Sequence, residues 1–113
     1  MSQITTHILD TSEGKPAVGV SVELFEQKDN QWSQLAKGVT NTDGRVAGLL
    51  SEDKVLDAGV YKMNFNTGEY FSANKKKGFY PYVDIVFELE GDGSHYHIPL
   101  LLSAFGYSTY RGS

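Results

Sequence analysis

The chain has 113 residues, enough to bury one hydrophobic core and too few for two, so a single domain over residues 1–113 is expected. With 14 acidic against 10 basic residues its formal net charge is -4, which argues against a nucleic-acid partner, since backbone binding needs clustered Lys and Arg to displace counterions. Cysteine is absent, which excludes disulfides, thiolate metal ligands and a cysteine nucleophile.

Twelve glycines, seven tyrosines and six phenylalanines, with Val, Ile and Thr in short alternating runs, favour strands over helices. Residues 4–9 read as a first strand, and Asp10-Thr11-Ser12-Glu13-Gly14-Lys15-Pro16 as the turn after it. In residues 18–26, Val20, Val22 and Leu24 share one face while Ser21, Glu23 and Phe25 share the other, the period of a half-buried strand. Residues 32–40 and 45–50 read as strands flanking Asn41-Thr42-Asp43-Gly44, whose Asp-Gly pair is expected to supply the positive φ of a tight reversal.

Residues 51–58 are a helix candidate stopped by Gly59. Residues 59–65 alternate again, and Thr67 then offers an N-cap hydroxyl for a short helix through about Asn74, the stronger of the two helix candidates. Residues 82–90 and 95–103 complete the strands, with Glu90-Gly91-Asp92-Gly93-Ser94 between them as a hairpin loop. Seven or eight short strands and one short helix predict an all-β, two-sheet sandwich without internal repeat or linker.

Lys75-Lys76-Lys77, the only basic run, reads as a solvated loop. No run of about 18 apolar residues could span a membrane, and residues 1–7 lack the basic and apolar stretches of a secretory signal. A cytoplasmic location is the expectation.

Imidazole titrates near neutral pH, so the three histidines are the first candidates for chemistry. On a strand, His95 and His97 would share a face about 6 to 7 Å apart, with Tyr96 and Ile98 on the other. That spacing suits an acid-base pair, a zinc site completed by His7, or plain exposed polar positions. His7 shares the face of Thr5 and Leu9, opposite Ile4, Thr6 and Ile8. Pro99 has no N–H and normally belongs on an edge or at a bulge. Arg45 follows the Asp43-Gly44 turn, and its planar fork suits either an anionic, oxygen-rich ligand or a neighbouring acid. The C-terminal Tyr107-Ser108-Thr109-Tyr110-Arg111-Gly112-Ser113 holds aromatic and basic residues where chain ends usually carry small polar ones, so a docked, buried terminus is expected. No Gly-x-Ser-x-Gly elbow, His-Glu-x-x-His or phosphate-cradling glycine loop is present.

Five blocks in register, Thr5-Thr6-His7-Ile8-Leu9-Asp10, Gly14-Lys15-Pro16-Ala17, Thr40-Asn41-Thr42-Asp43-Gly44-Arg45, His95-Tyr96-His97-Ile98-Pro99-Leu100-Leu101-Leu102-Ser103 and Tyr107 to Ser113, resemble the 5-hydroxyisourate hydrolases of the transthyretin-like family from end to end. The sequence departs from that pattern at Ala104-Phe105, where a Pro-aromatic pair is commoner. Transthyretins share the fold, so fold alone does not settle function. They carry other residues where His7 and His97 stand, an acidic one in place of Arg45, and no Arg-Gly-Ser ending.

The resemblance implies a transthyretin-like sandwich that opens the ring of 5-hydroxyisourate to 2-oxo-4-hydroxy-4-carboxy-5-ureidoimidazoline in urate degradation. It implies no metal and no cofactor, and a homotetramer built as a dimer of dimers. His7, Arg45 and His97 would be catalytic, with His7, Arg45, Tyr110 and Ser113 contacting the small-molecule substrate and His95, Arg111 and Gly112 in support. The alternative is a transthyretin-like binding module for a small, thyroid-hormone-type ligand.

Overall fold

A computed structural model describes residues 2–112. Its elements in chain order are β1 (Ile4–Asp10), β2 (Lys15–Pro16), β3 (Ser21–Lys28), β4 (Gln31–Val39), β5 (Gly59–Phe65), α1 (Thr67–Ala73), β6 (Val83–Leu89), β7 (Tyr96–Ser103) and β8 (Gly106–Thr109). Two four-stranded sheets, ordered β2-β1-β7-β8 and β4-β3-β5-β6, make the expected all-β sandwich with one short helix.

The period-two alternation read from the sequence is what closes the core. Ile4 and Ile8 on β1 and Ile98, Leu100 and Leu102 on β7 face Val22 and Leu24 on β3 and Met63 and Phe65 on β5, all buried. Each such side chain contributes about 1.5 to 3 kcal/mol of burial. The opposite residues of β1 and β7, Thr5, His7, Leu9, His97 and Leu101, are only half-buried and form the outer face of the first sheet. α1 is fastened to β1 by a buried pair: Tyr70 donates its hydroxyl to Asp10 Oδ2 at 2.7 Å, while Asp10 Oδ1 accepts the Ser12 and Glu13 N–H groups at 3.1 Å.

Several local expectations are corrected. Residues 45–50 are not a strand, since Arg45 makes a single bridge to His7 and the chain then turns. Residues 51–58 are not a helix. Val46, Leu49, Leu50 and Leu56 reach the core from irregular backbone, whose Leu50 and Leu56 N–H groups are satisfied by Ser2 Oγ at 3.1 Å and Gln3 Oε1 at 2.8 Å. Glu90 to Ser94 is no hairpin loop, because β6 and β7 belong to different sheets and the segment crosses between them.

Thr67 is not the helix cap. Asn66 holds that position without a side-chain cap bond, and the Thr67 hydroxyl turns toward the Tyr80 carbonyl at 3.5 Å. In the Asp43-Gly44 reversal only Gly44 has positive φ. β3 and β4 are joined by a two-residue hairpin not expected from the sequence: Asp29 and Asn30 both have positive φ, 53° and 63°, the mark of a type I′ turn.

Candidate active site

The outer face of the first sheet collects the polar residues. β1 and β7 run parallel with Thr5 beside His97 and His7 beside Pro99, so the alternation of each strand sets His7, His95 and His97 on one surface. Arg45 joins them through its antiparallel bridge to His7, since bridged residues share a face. The loop that delivers it is tightly specified. Ile8 donates its N–H to the Gly44 carbonyl at 2.8 Å, and a Cβ on Gly44, at φ +75°, would stand 2.5 Å from the Ile8 carbonyl oxygen, so only glycine fits. Asn41 Oδ1 accepts the Asp43 and Arg45 N–H groups at 2.9 and 3.2 Å, fixing where the guanidinium starts.

Thr5, Asn41, Arg45, His95 and His97 line an open pocket of about 480 Å³. His7 lies beside it rather than in its lining, yet near enough to influence His97 electrostatically. Burial pushes the His97 imidazole below its ordinary value, and the positive charges of Arg45, His95 and His7 push it lower, opposed by a hydrogen bond with the Thr5 backbone. Burial and like charge both disfavour the imidazolium, so His97 stays neutral and able to accept a proton at neutral pH. The Thr5 hydroxyl stands 2.8 Å from His97 Nδ1 and 3.0 Å from His95 Nε2. Among the described residues no trio of His, Asp or Glu is disposed to hold a metal ion, so the three-nitrogen zinc arrangement is not formed by His7, His95 and His97.

The tail is docked but not buried. Gly112 donates its N–H to the His97 carbonyl at 2.8 Å, whereas Tyr110 is 60 % exposed and Arg111 is exposed as well. Pro99 accounts for this. It sits in an internal strand, between β1 and β8, not on an edge, and the irregularity expected of it appears as a break in pairing with the tail. β8 pairs Leu100 with Thr109, and the same register places Tyr110 against Pro99 before it resumes at the bridge between His97 and Gly112. His97 turns its backbone toward the tail, so Pro99, two residues on, would too, and having no N–H it interrupts the ladder there. The Pro99 carbonyl takes the Thr109 hydroxyl instead, at 2.7 Å, and Tyr110 is released from the strand.

Arg111 does not face the pocket. Its guanidinium lies 4.5 Å from the centroid of the buried Tyr96 ring, on the inter-sheet side with Ile98, so its part in the site is to anchor the tail by a cation–π contact. Ser113, expected to close the pocket, lies outside the described residues. The residue that sequence reasoning missed is Thr5. Strand alternation puts it on the face of His7, but its contact with both other histidines depends on the pairing of β1 with β7, about 90 residues away in the chain.

Solved structures share this architecture. Sea bream transthyretin in complex with thyroxine aligns with a TM-score of 0.91 at 33 % identity, over 98 % of this chain and 95 % of that one. Klebsiella pneumoniae 5-hydroxyisourate hydrolase aligns with a TM-score of 0.84 at 39 % identity, over 97 % and 98 %. The fold is therefore the transthyretin-like sandwich, here with imidazoles and a guanidinium on its outer face. Among sequences, the chain is 48 % identical to the 5-hydroxyisourate hydrolase of Salmonella typhimurium over 97 % of its length and 80 % of the relative's. With the mouse 5-hydroxyisourate hydrolase the figures are 43 %, 99 % and 96 %. A sequence model of the HIUase/Transthyretin family matches residues 4–112, and the chain belongs to that family.

Proposed function

We propose that the protein hydrolyses 5-hydroxyisourate, opening its six-membered ring to 2-oxo-4-hydroxy-4-carboxy-5-ureidoimidazoline in urate degradation. The observation that carries this reading is the gathering of His97, kept neutral, with Arg45 at one open pocket and His7 alongside. The names of the relatives with 43 to 48 % identity support the substrate.

His97 is the general base. Its Nδ1 is engaged by Thr5, which leaves Nε2 for a water molecule positioned jointly with His7. As His97 Nε2 takes the water proton, the hydroxide adds to the ring carbonyl, and Arg45 holds the substrate anion and stabilises the oxygen on which charge develops. Cleavage of the C–N bond returns the proton from Nε2 to the leaving nitrogen. Tyr110 and Ser113 are assigned to substrate contact from the family resemblance, since Tyr110 lines a cavity with Ile85 and Phe87 and Ser113 lies outside the described residues. No metal or cofactor takes part.

The working form is a homotetramer. β6 and β8 are free edges lying together on one side of the sandwich, where Ile85, Phe87, Thr109 and Tyr110 line a common cavity of about 240 Å³. Unpaired edges invite pairing with a second copy, and exposed Val86, Phe105, Tyr107 and Tyr110 give such contacts apolar area. Stacking two such dimers across the outer face would cover the His and Arg cluster.

The second reading, a small-ligand carrier, rests on the closer backbone match to thyroxine-bound transthyretin. Purified protein added to freshly generated 5-hydroxyisourate decides between them. Faster loss of its ultraviolet absorbance than in buffer supports the hydrolase, and no acceleration supports the carrier.

A further inference from the structure

Resting on the site proposed above, we infer that Thr5 is a positioning residue of the reaction, its hydroxyl coupling the proton placements of His97 and His95 so that His97 Nε2 is open while His95 Nε2 accepts.

A hydroxyl has one proton and two acceptor lone pairs. The Thr5 hydroxyl stands between His97 Nδ1 at 2.8 Å and His95 Nε2 at 3.0 Å, so both ring nitrogens cannot accept from it at once. At least one ring must donate into the oxygen. The hydroxyl is well placed to enforce this, because the strand register holds Thr5 beside His97 and a β-branched side chain is stiff at χ1. The His97 ring is also confined from the tail, where a Cβ on Gly112 would meet its Cδ2 at 2.5 Å.

With both rings neutral, two arrangements use the Thr5 proton between the rings; in a third both rings donate into the oxygen and that bond is forgone. In the first, His97 donates its Nδ1–H to Thr5 and Thr5 donates to His95 Nε2. The Nε2 lone pair of His97 is then open, and when it takes the water proton the Nδ1–H bond to Thr5 stays in place and becomes charge-assisted. In the second, His95 donates its Nε2–H to Thr5 and Thr5 donates to His97 Nδ1. His97 then carries its proton on Nε2 and can donate but not accept. Protonating the exposed His95 removes its Nε2 as an acceptor and leaves His97 Nδ1 as the ring acceptor for the Thr5 proton, so His95 biases the base toward the second arrangement through Thr5. The other charged groups facing His97 are Arg45 from the loop after β4 and His7 from β1. They disfavour charge on its ring and leave open which nitrogen bears the proton. Arg111 lies on the opposite side against Tyr96.

The test compares Thr5→Val, Thr5→Ser, His95→Ala and His97→Ala by kcat, KM and pH profile, with 15N NMR reading the tautomer of His97. The isosteric Thr5→Val should lower kcat roughly 10- to 100-fold with KM changed less than about threefold, and Thr5→Ser should recover most of the loss. In the unaltered protein at alkaline pH, His97 should be the Nδ1–H tautomer, and Thr5→Val should give a mixture. His95→Ala should change the shape of the acid limb of kcat. An unchanged kcat or an unchanged tautomer in Thr5→Val overturns the coupling while leaving the site intact. Should Thr5→Val fail to fold, a His95→Ala acid limb identical to that of the unaltered protein overturns it. Full activity in His97→Ala overturns the site and the coupling together.

Discussion

Gly112 donates its backbone N–H to the His97 carbonyl at 2.8 Å while leaving free the space into which a Cβ would project, 2.5 Å from Cδ2 and 3.1 Å from Cβ of His97. One residue thus ties the tail to β7 and sets the position of the imidazole. Gly112→Ala must move the ring or the tail, and misplacement of a base by about 1 Å can cost on the order of 100-fold in rate. The expected outcome is a loss of that order in kcat/KM with an unfolding midpoint nearly unchanged, since Gly112 lies outside the strands and joins the sheet by one isolated bridge. Urea unfolding and steady-state kinetics on the same sample check both halves.

His97 should titrate below an ordinary histidine, about 6.5, because burial and the positive charges of Arg45, His95 and His7 disfavour its cation. Removing a positive neighbour favours that cation, so Arg45→Met should move the His97 midpoint upward, as read by NMR titration of its ring protons. The stability linkage has a definite sign. A base with a lowered folded value holds the folded state back as the unfolded chain takes up its proton, so this contribution is present above about pH 6.5 and declines as pH falls through the folded value. His97→Gln should make the acid decline shallower.

Each of His7→Ala, Arg45→Ala and His97→Ala should lower kcat/KM by roughly 100-fold or more, the magnitude usual for a removed acid-base or anion-stabilising group. Their oligomeric state should persist in sedimentation experiments. His95→Ala should lose less, since His95 acts at one remove. Equal losses at His95 and His97 would contradict that ranking.

Activity should survive prolonged treatment with a chelator followed by desalting. Loss on chelation with recovery on added zinc would show a metal-dependent reaction and overturn the water-activating role given to His97.

The bond between Tyr70 and Asp10 should carry stability rather than activity. Asp10 is 4 % exposed, so Tyr70→Phe strands one carboxylate oxygen and should cost about 1 to 3 kcal/mol in denaturant unfolding. Burial and the hydrogen bond to Asp10 push the Tyr70 hydroxyl up, whereas in the unfolded chain it ionises near pH 10. Its contribution is therefore complete below about pH 10 and lost as pH rises above that, because the unfolded chain then gives up a proton that the folded one retains. Tyr70→Phe should make the alkaline decline shallower, and kcat at neutral pH should change little.

Much of the sandwich was legible because its strands obey a local rule. Val22 and Leu24, or Ile98, Leu100 and Leu102, announce their buried face by alternation alone. The errors fell where local pattern meets non-local pairing. Residues 45–50 and 51–58 read as strand then helix, yet the Leu50 and Leu56 N–H groups are taken by Ser2 and Gln3, 48 and 53 residues earlier in the chain. Glu90 to Ser94 has the composition of a hairpin, but hairpin and inter-sheet crossing use the same turn residues, and only the partners of β6 and β7 distinguish them. Asp29-Asn30 lacks the glycine by which type I′ turns are usually recognised.

The sequence by itself determined which residues could do chemistry and which face of each strand they occupy, because residue type and the period of two are properties of a few adjacent positions. The five motif blocks carried the family in the same way. Only the tertiary structure decided how those faces are shared. Parallel pairing of β1 with β7 brings Thr5 between His95 and His97, the bridge at His7 adds Arg45, and the missing N–H of Pro99 frees Tyr110 while Gly112 returns to His97. Each of these depends on register between strands remote in the chain, and register is set by the packing of the whole core.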